Sequence, residues 1–285
     1  MQGRTQAGFA YRMFQVQTKR NNIRVAANLA ELIYHATVRE LRKSHSNPII
    51  GLLINMMQAI ILVVVFYVMF TVLGLRTAAV RGDFMLYVMS GIFLFLTHTK
   101  AMGAVINSEG PASPMMQHAP MNTAIAITSS ALASLYIQLL SMFFILALYY
   151  SLVTPFAVEQ PVAALGMILL AWFSGVAVGL VFLALKPWFP SFVGIASTIY
   201  ARANMIASGK MFLANSLPPK LLAMFSWNPL FHSIDQSRGF VFINYTPHNT
   251  SISYPVYVSL ALVMIGLLGE FYTRKNASAS WYSRR

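Results

Sequence analysis

The stretch that decides the fold runs from Val162 to Leu213. It reads VAALGMILLAWFSGVAVGLVFLAL over 162–185, then Lys186-Pro187-Trp188, then FPSFVGIASTIYARANMIASGKMFL over 189–213. A helix needs about 20 apolar residues to cross the hydrocarbon of a bilayer. Read as one helix, the stretch would exceed twice that length. It therefore reads as two membrane spans with a tight turn at 186–188.

Working outward, the same reading gives four more spans, at 48–73, 84–106, 124–151 and 254–273. All six are long and apolar, without the alternation of a membrane barrel. The composition agrees: 57% of the 285 residues are hydrophobic and 9% are charged, against roughly 25% charged in an ordinary soluble domain. The mean hydropathy is +0.62. The expected fold is all-α, a polytopic membrane protein with one six-span domain over 48–273.

The net charge of +13 could point to nucleic acid, but its placement argues against that. Eight of the 20 Lys and Arg residues lie before residue 48 and four after residue 273. With both ends in the cytoplasm, the inner segments hold 13 of these cations and the outer segments 4. That asymmetry orients the chain, since cytoplasmic loops carry the excess of Lys and Arg. Residues 1–23 form a basic cytoplasmic tail without a signal-peptide core, and 274–285 form a basic C-terminus. Between tail and first span, 24–46 places Val25, Leu29, Leu32, Ile33, Ala36 and Leu41 mostly at three- and four-residue steps. Charged residues fill much of the remaining surface, the pattern of an amphipathic helix lying in the headgroup layer.

The long outer segment, 214–253, has an apolar first half that is too short to span. It reads as a re-entrant helical hairpin. Pro218-Pro219 can start one short helix, and Asn228-Pro229 can break and restart it. Backbone at that depth must be covered by protein or line a wet cavity.

No enzyme chemistry is evident. Cysteine is absent, which removes disulfides, thiolate metal sites and a cysteine nucleophile. Gly209-Lys210 lacks the rest of a phosphate loop: residue 204 is Asn and residue 211 is Met. No metal site is read, and the carboxylates and histidines are scattered.

Several residue patterns resemble the permeases of type-2 ATP-binding-cassette exporters, within them the subfamily exporting capsular polysaccharide and O-antigen. The strongest is Trp227-Asn228-Pro229-Leu230-Phe231-His232 followed by Asp235-Gln236-Ser237-Arg238. Thr37-Val38-Arg39-Glu40-Leu41-Arg42 ahead of Ile50-Gly51 also fits. So do Lys100 with Gly103, Phe189-Pro190, and Ser208-Gly209 before Leu217-Pro218. The resemblance covers roughly 37–275. It implies a homodimer of permeases with two separate ATP-binding subunits, which carry ATP and Mg. It implies a polysaccharide substrate, contact with membrane lipid, and periplasmic or outer-membrane export proteins as further partners. The chain itself would hold no cofactor. Arg39, Glu40 and Arg42, with Glu109, Gly110 and Pro111 of the inner loop 107–123, become candidates for docking the ATPase. Asp235 and Arg238, three apart on a helix, become a candidate exposed ion pair at the exit.

Three basic residues fall inside spans. A charge at the bilayer centre costs at least about 2.5 kcal/mol. Lys100 and Lys210 lie near span ends, where a long side chain can snorkel to the interface. Arg202 lies about 20 Å from the inner end of its span, and no acid within the spans can pair with it. It is expected to face water or an anionic substrate. The aromatic residues Tyr67, Phe93 and Tyr200 are further candidates for lining a sugar path.

The expectation is therefore an exporter subunit moving an acidic, lipid-linked polysaccharide across a bacterial inner membrane. Two alternatives stay open. One is the same fold exporting O-antigen, teichoic acid or a drug. The other is a membrane enzyme acting on polyprenyl-linked sugars.

Overall fold

A computed structural model describes residues 22–43, 48–72, 74, 83–110 and 122–276. Among these residues the chain is all-helical, with no strand. The helices are α1 (Asn22–Lys43), α2 (Pro48–Val72), α3 (Phe84–Ile106), α4 (Thr123–Leu152), α5 (Pro161–Leu185), α6 (Pro190–Ala207), α7 (Pro219–Phe225), α8 (Pro229–Val241) and α9 (Ser253–Asn276). A 3₁₀ turn, Ala214–Ser216, lies between α6 and α7. Most of the expected basic tail at 1–23, the last nine residues, and most of the inner loop, including Pro111, lie outside the described residues.

Five helices, α2, α3, α4, α5 and α9, are long and apolar enough to cross a membrane. The expected boundaries hold to within about three residues for these five. The expected fifth span, 189–213, does not form as one helix. α6 ends at Ala207 and Gly209 takes a φ of 74°. The left-handed conformation favours glycine, and a Cβ there would lie 2.6 Å from the Phe231 ring. The helix that remains has 18 residues and carries Arg202 and Asn204, so it falls short of the other five in apolar character.

α5 is the central element, packed along both α3 and α9, with α8 laid against it. Lipid tails are as apolar as leucine, so helices in a membrane associate through close packing rather than the hydrophobic effect. Here glycines supply the closeness. A Cβ on Gly175 would collide with the His98 carbonyl, and one on Gly179 would lie 2.9 Å from the Met102 carbonyl. Gly175 and Gly179, four apart on one face, thus seat α5 on α3. Gly266 of α9 meets Leu180 in the same way. The outer surfaces of α2 and α9 stay apolar and uncovered, as at Val64, Val68, Met264 and Leu268.

The short helices begin where the prolines require. Pro219 opens α7 and Pro229 opens α8. The two helices differ sharply: no residue of α7 is buried, whereas nearly every side chain of α8 is.

Candidate functional site

The Trp-Asn-Pro-Leu-Phe-His segment and the Asp-x-x-Arg that follows it form one connected polar structure. Asn228 is its corner. Its Oδ1 accepts from the Leu230 N–H at 3.0 Å and caps α8, while its Nδ2 donates to Asn204 Oδ1 at 2.8 Å and to the Ala207 carbonyl at 3.1 Å. Pro229 occupies the first turn, where its missing N–H has no cost. Trp227 stays exposed, and its carbonyl accepts from the Tyr254 hydroxyl at 2.7 Å.

His232 is held by both ring nitrogens. The Ser251 N–H donates to Nδ1 at 3.0 Å, so Nε2 carries the proton and donates to the Ser226 carbonyl at 2.7 Å. The ring stacks on Tyr254 with centroids 4.6 Å apart. Burial lowers its pKa from 6.5, against smaller opposing effects of the Ser226 carbonyl and Asp235.

Asp235 and Arg238 correct the expectation of an exposed ion pair. Both are buried, and the two do not pair with each other. Asp235 Oδ1 accepts from the Tyr245 hydroxyl at 2.5 Å and the Ala214 N–H at 3.1 Å, and its Oδ2 accepts from Thr250 at 2.8 Å. It ties the loops on either side of α8 together. The Tyr245 phenol is pushed well above its usual range, first by burial and then by the Asp235 charge. Arg238 is fully buried and stacks over Tyr87, 4.2 Å from the ring centre. Its fork donates to the carbonyls of Gly209, Lys210 and Phe212 at 2.6–2.8 Å. Those carbonyls follow the C-terminal end of α6, where a helix leaves acceptors unsatisfied and its dipole favours a cation. Gly91 of α3 makes the room, since a Cβ there would lie 2.9 Å from both Arg238 and Lys210.

Lys210 is 2% exposed, so it does not reach an interface by snorkelling. Its Nζ lies over the rings of Phe95 and Phe66, 3.7 and 4.7 Å from their centres, with no hydrogen-bond partner among the described residues. The aromatic faces are what stabilises a cation there.

Arg202 sits elsewhere. Its side chain is exposed, about 18 Å along α6 from Pro190. It lines a groove of about 500 Å³ between α6 and the end of α3, with Ser197, Thr198 and Asn107 along the way and Lys186 at the far end. Lys186 donates to the Ile106 carbonyl at 2.7 Å. No acidic side chain pairs with Arg202 among the described residues.

The other path candidates scatter. Phe93 is buried in the core, Tyr67 packs near Phe84, and Tyr200 turns inward. Lys100 is half-buried and donates to Gln58 Oε1 at 2.5 Å, in a separate cavity between α2, α3 and α4. Lys43 bridges Glu40 (3.9 Å) and Glu109 (3.4 Å), which joins the end of α1 to the end of α3. Arg39 and Arg42 are exposed beside that bridge, and Gly110 packs near Leu183.

One residue that pattern reading passed over is His98, fully buried in α3. Ser174 spends its own proton on the Ala171 carbonyl, so His98 Nδ1–H donates to Ser174 Oγ (2.9 Å) and Nε2 accepts from the Tyr200 hydroxyl (3.0 Å). This pins α3, α5 and α6 together. A histidine in mid-span was itself the signal, since an intramembrane ionisable group needs a partner. Among the described residues, no three His, Asp or Glu side chains converge as a metal site would require. Compared with known proteins, the chain matches no family model and no curated sequence.

Proposed function

We propose that this chain is the membrane-spanning subunit of an ATP-driven exporter that moves an acidic, lipid-linked polysaccharide outward across a bacterial inner membrane. It works as a homodimer with two separate ATP-binding subunits, which carry ATP and Mg. Both termini are cytoplasmic. α6 makes the sixth crossing: its 18 residues cover about 27 Å, and the turn at 208–213 completes the passage. α7 and α8 form the outer re-entrant hairpin, with the exposed Leu221, Met224 and Trp227 in the outer leaflet.

The observation that carries this reading is the groove beside α6. It runs from Lys186 to Arg202, with Asn107, Ser197 and Thr198 among mostly apolar walls and no carboxylate in its lining. An unpaired guanidinium within a span is costly unless it meets water or an anion. A groove attractive to anions at each end suits a chain of negative charges in transit. An inside-negative potential favours the outward movement of each charge by about 2.3 kcal/mol per 100 mV. The Lys43 bridge, with Arg39 and Arg42 beside it, supplies a charged inner surface for the ATPase to grip.

The test is purification of the tagged full chain from membranes. An ATP-hydrolysing subunit is expected to accompany it in equal number, and deletion of residues 24–46 is expected to abolish the association. A chain that purifies to homogeneity with no ATPase would sink the proposal.

A further inference from the structure

A second cavity, of about 500 Å³, lies between α2, α3 and α4, away from the Arg202 groove. Pockets that hold small ligands fall at about 300–1,000 Å³. Its lining is unusual for helices of this apolarity. α2 contributes Asn55 and Gln58, α3 contributes Lys100, and α4 contributes Ser130, Ser134 and Gln138 at four-residue steps, hence on one face. Polar residues inside spans are costly and mark binding sites or water-filled paths.

The hydrogen bonds within this set leave a surplus of one kind. Lys100 Nζ donates to Gln58 Oε1, Gln138 Nε2 donates to Asn55 Oδ1 (3.0 Å), and Asn55 Nδ2 donates to Ser141 Oγ (3.0 Å). By the donor count of each side chain, two N–H groups remain on Lys100, two on Gln58, and one each on Asn55 and Gln138. The carbonyl oxygens of Asn55 and Gln58 are already engaged, and the acceptors that remain, Gln138 Oε1 and the Ser130 and Ser134 hydroxyl oxygens, are fewer than the donors. The interior is therefore rich in donors and holds one cation. It calls for a ligand made mostly of acceptors with a negative charge.

The rim adds a second requirement. Ile54, Tyr136 and Leu140 line the same cavity and are exposed on the outer faces of α2 and α4. Those faces are apolar surfaces of membrane-crossing helices, so the cavity opens towards hydrocarbon as well as towards α1. Its inner mouth carries Glu40, which would repel an anion arriving from the cytoplasm. An anionic head reaching Lys100 while its acyl chains stay on the apolar rim satisfies both features.

We infer that the cavity between α2, α3 and α4 is a binding site for the phosphate-bearing headgroup of an anionic lipid, with Lys100 as the charge contact and Gln58, Asn55 and Gln138 as hydrogen-bond donors. The site goes beyond the export reading and does not need it, because lipid binding by the chain is read without any transport.

The full chain, with any subunits that accompany it, is placed in phosphatidylcholine nanodiscs. A fluorescent phosphatidylglycerol is titrated in and competed with phosphatidylglycerol, with a neutral galactosyl diacylglycerol, and with soluble glycerol phosphate. Wild type is expected to favour phosphatidylglycerol over the neutral glycolipid by about tenfold or more. Lys100→Met should bring the preference to within about twofold, and Lys100→Arg should retain most of it. Glu40→Gln should bind no more weakly than wild type. Competition by glycerol phosphate at concentrations near those of the lipid would assign the site to the phosphate group alone. Failure of that competitor would assign it to the lipid-anchored headgroup. A Lys100→Met variant that melts like wild type and keeps the full preference would overturn the inference. So would a wild type that prefers the neutral glycolipid.

Discussion

At the scale of single residues, the buried polar groups of α8 carry the sharpest expectations. His232 uses Nδ1 as an acceptor for the Ser251 N–H, so a proton there would turn an attraction into a donor–donor clash. The folded chain holds the pKa of this histidine below its ordinary value of 6.5, so it takes up a proton at lower pH than the unfolded chain does. The unfolded state then binds more protons, and stability is lost as the pH falls below 6.5. The thermal midpoint in detergent should drop between pH 7.5 and 5.5, and His232→Gln should show a shallower drop. An equal slope in both proteins would remove His232 from the account. Asp235 and Arg238 engage separate partners, so exchanging them cannot restore either. The double variant with the two charges swapped should be as poorly folded as each alanine variant, each losing about 3 kcal/mol or more. Membrane abundance of the four proteins would decide it, and rescue by the swap would restore the ion-pair reading. The spacing of the two residues was legible in the sequence. Their partners were not, because Arg238 binds main-chain carbonyls of a turn 26–29 residues away, and carbonyls leave no mark on the side-chain pattern.

At the scale of elements, the long apolar helices were legible nearly to the residue because length and hydropathy alone define them. α6 was not. Averaged hydropathy carried the fifth span through to Leu213, whereas Ser208-Gly209 ends the helix, with the left-handed glycine tight against Phe231. The same averaging hid the contact between α3 and α5. Gly175 and Gly179 look like two more small residues in an apolar run, yet they set the distance between the helices. Gly175→Ala would drive a methyl against main chain that has no side-chain freedom to yield. The loss should be about 1–3 kcal/mol, with the His98–Ser174 bond disturbed as the helices part. Gly166→Ala, on the same helix with nothing within 4 Å of the new methyl, should be neutral or slightly stabilising. Thermal melts of the two variants side by side test this, and equal effects would mean the glycine seam does not hold the helices together.

At the scale of the whole molecule, most of the positive charges sit in three kinds of place. Twelve of the 20 cluster towards the chain ends, Lys210 and Arg238 are enclosed within the fold, and Lys100, Lys186 and Arg202 line cavities. Of the two groove cations, Lys186 is engaged by the Ile106 carbonyl, and the central claim rests on Arg202. Arg202→Lys keeps the charge but loses the planar fork, Arg202→Ala removes both, and Arg202→Glu reverses the sign. Because Arg202 is exposed, none of these should disturb folding as a change at Arg238 would. The deciding measurement is the rate at which cells carrying each variant deliver acidic polysaccharide to the outside, normalised to membrane abundance and ATPase association. The account predicts partial export for lysine, a larger loss for alanine and the largest for glutamate. Export by the glutamate variant equal to that of lysine, with normal assembly in both, would contradict it.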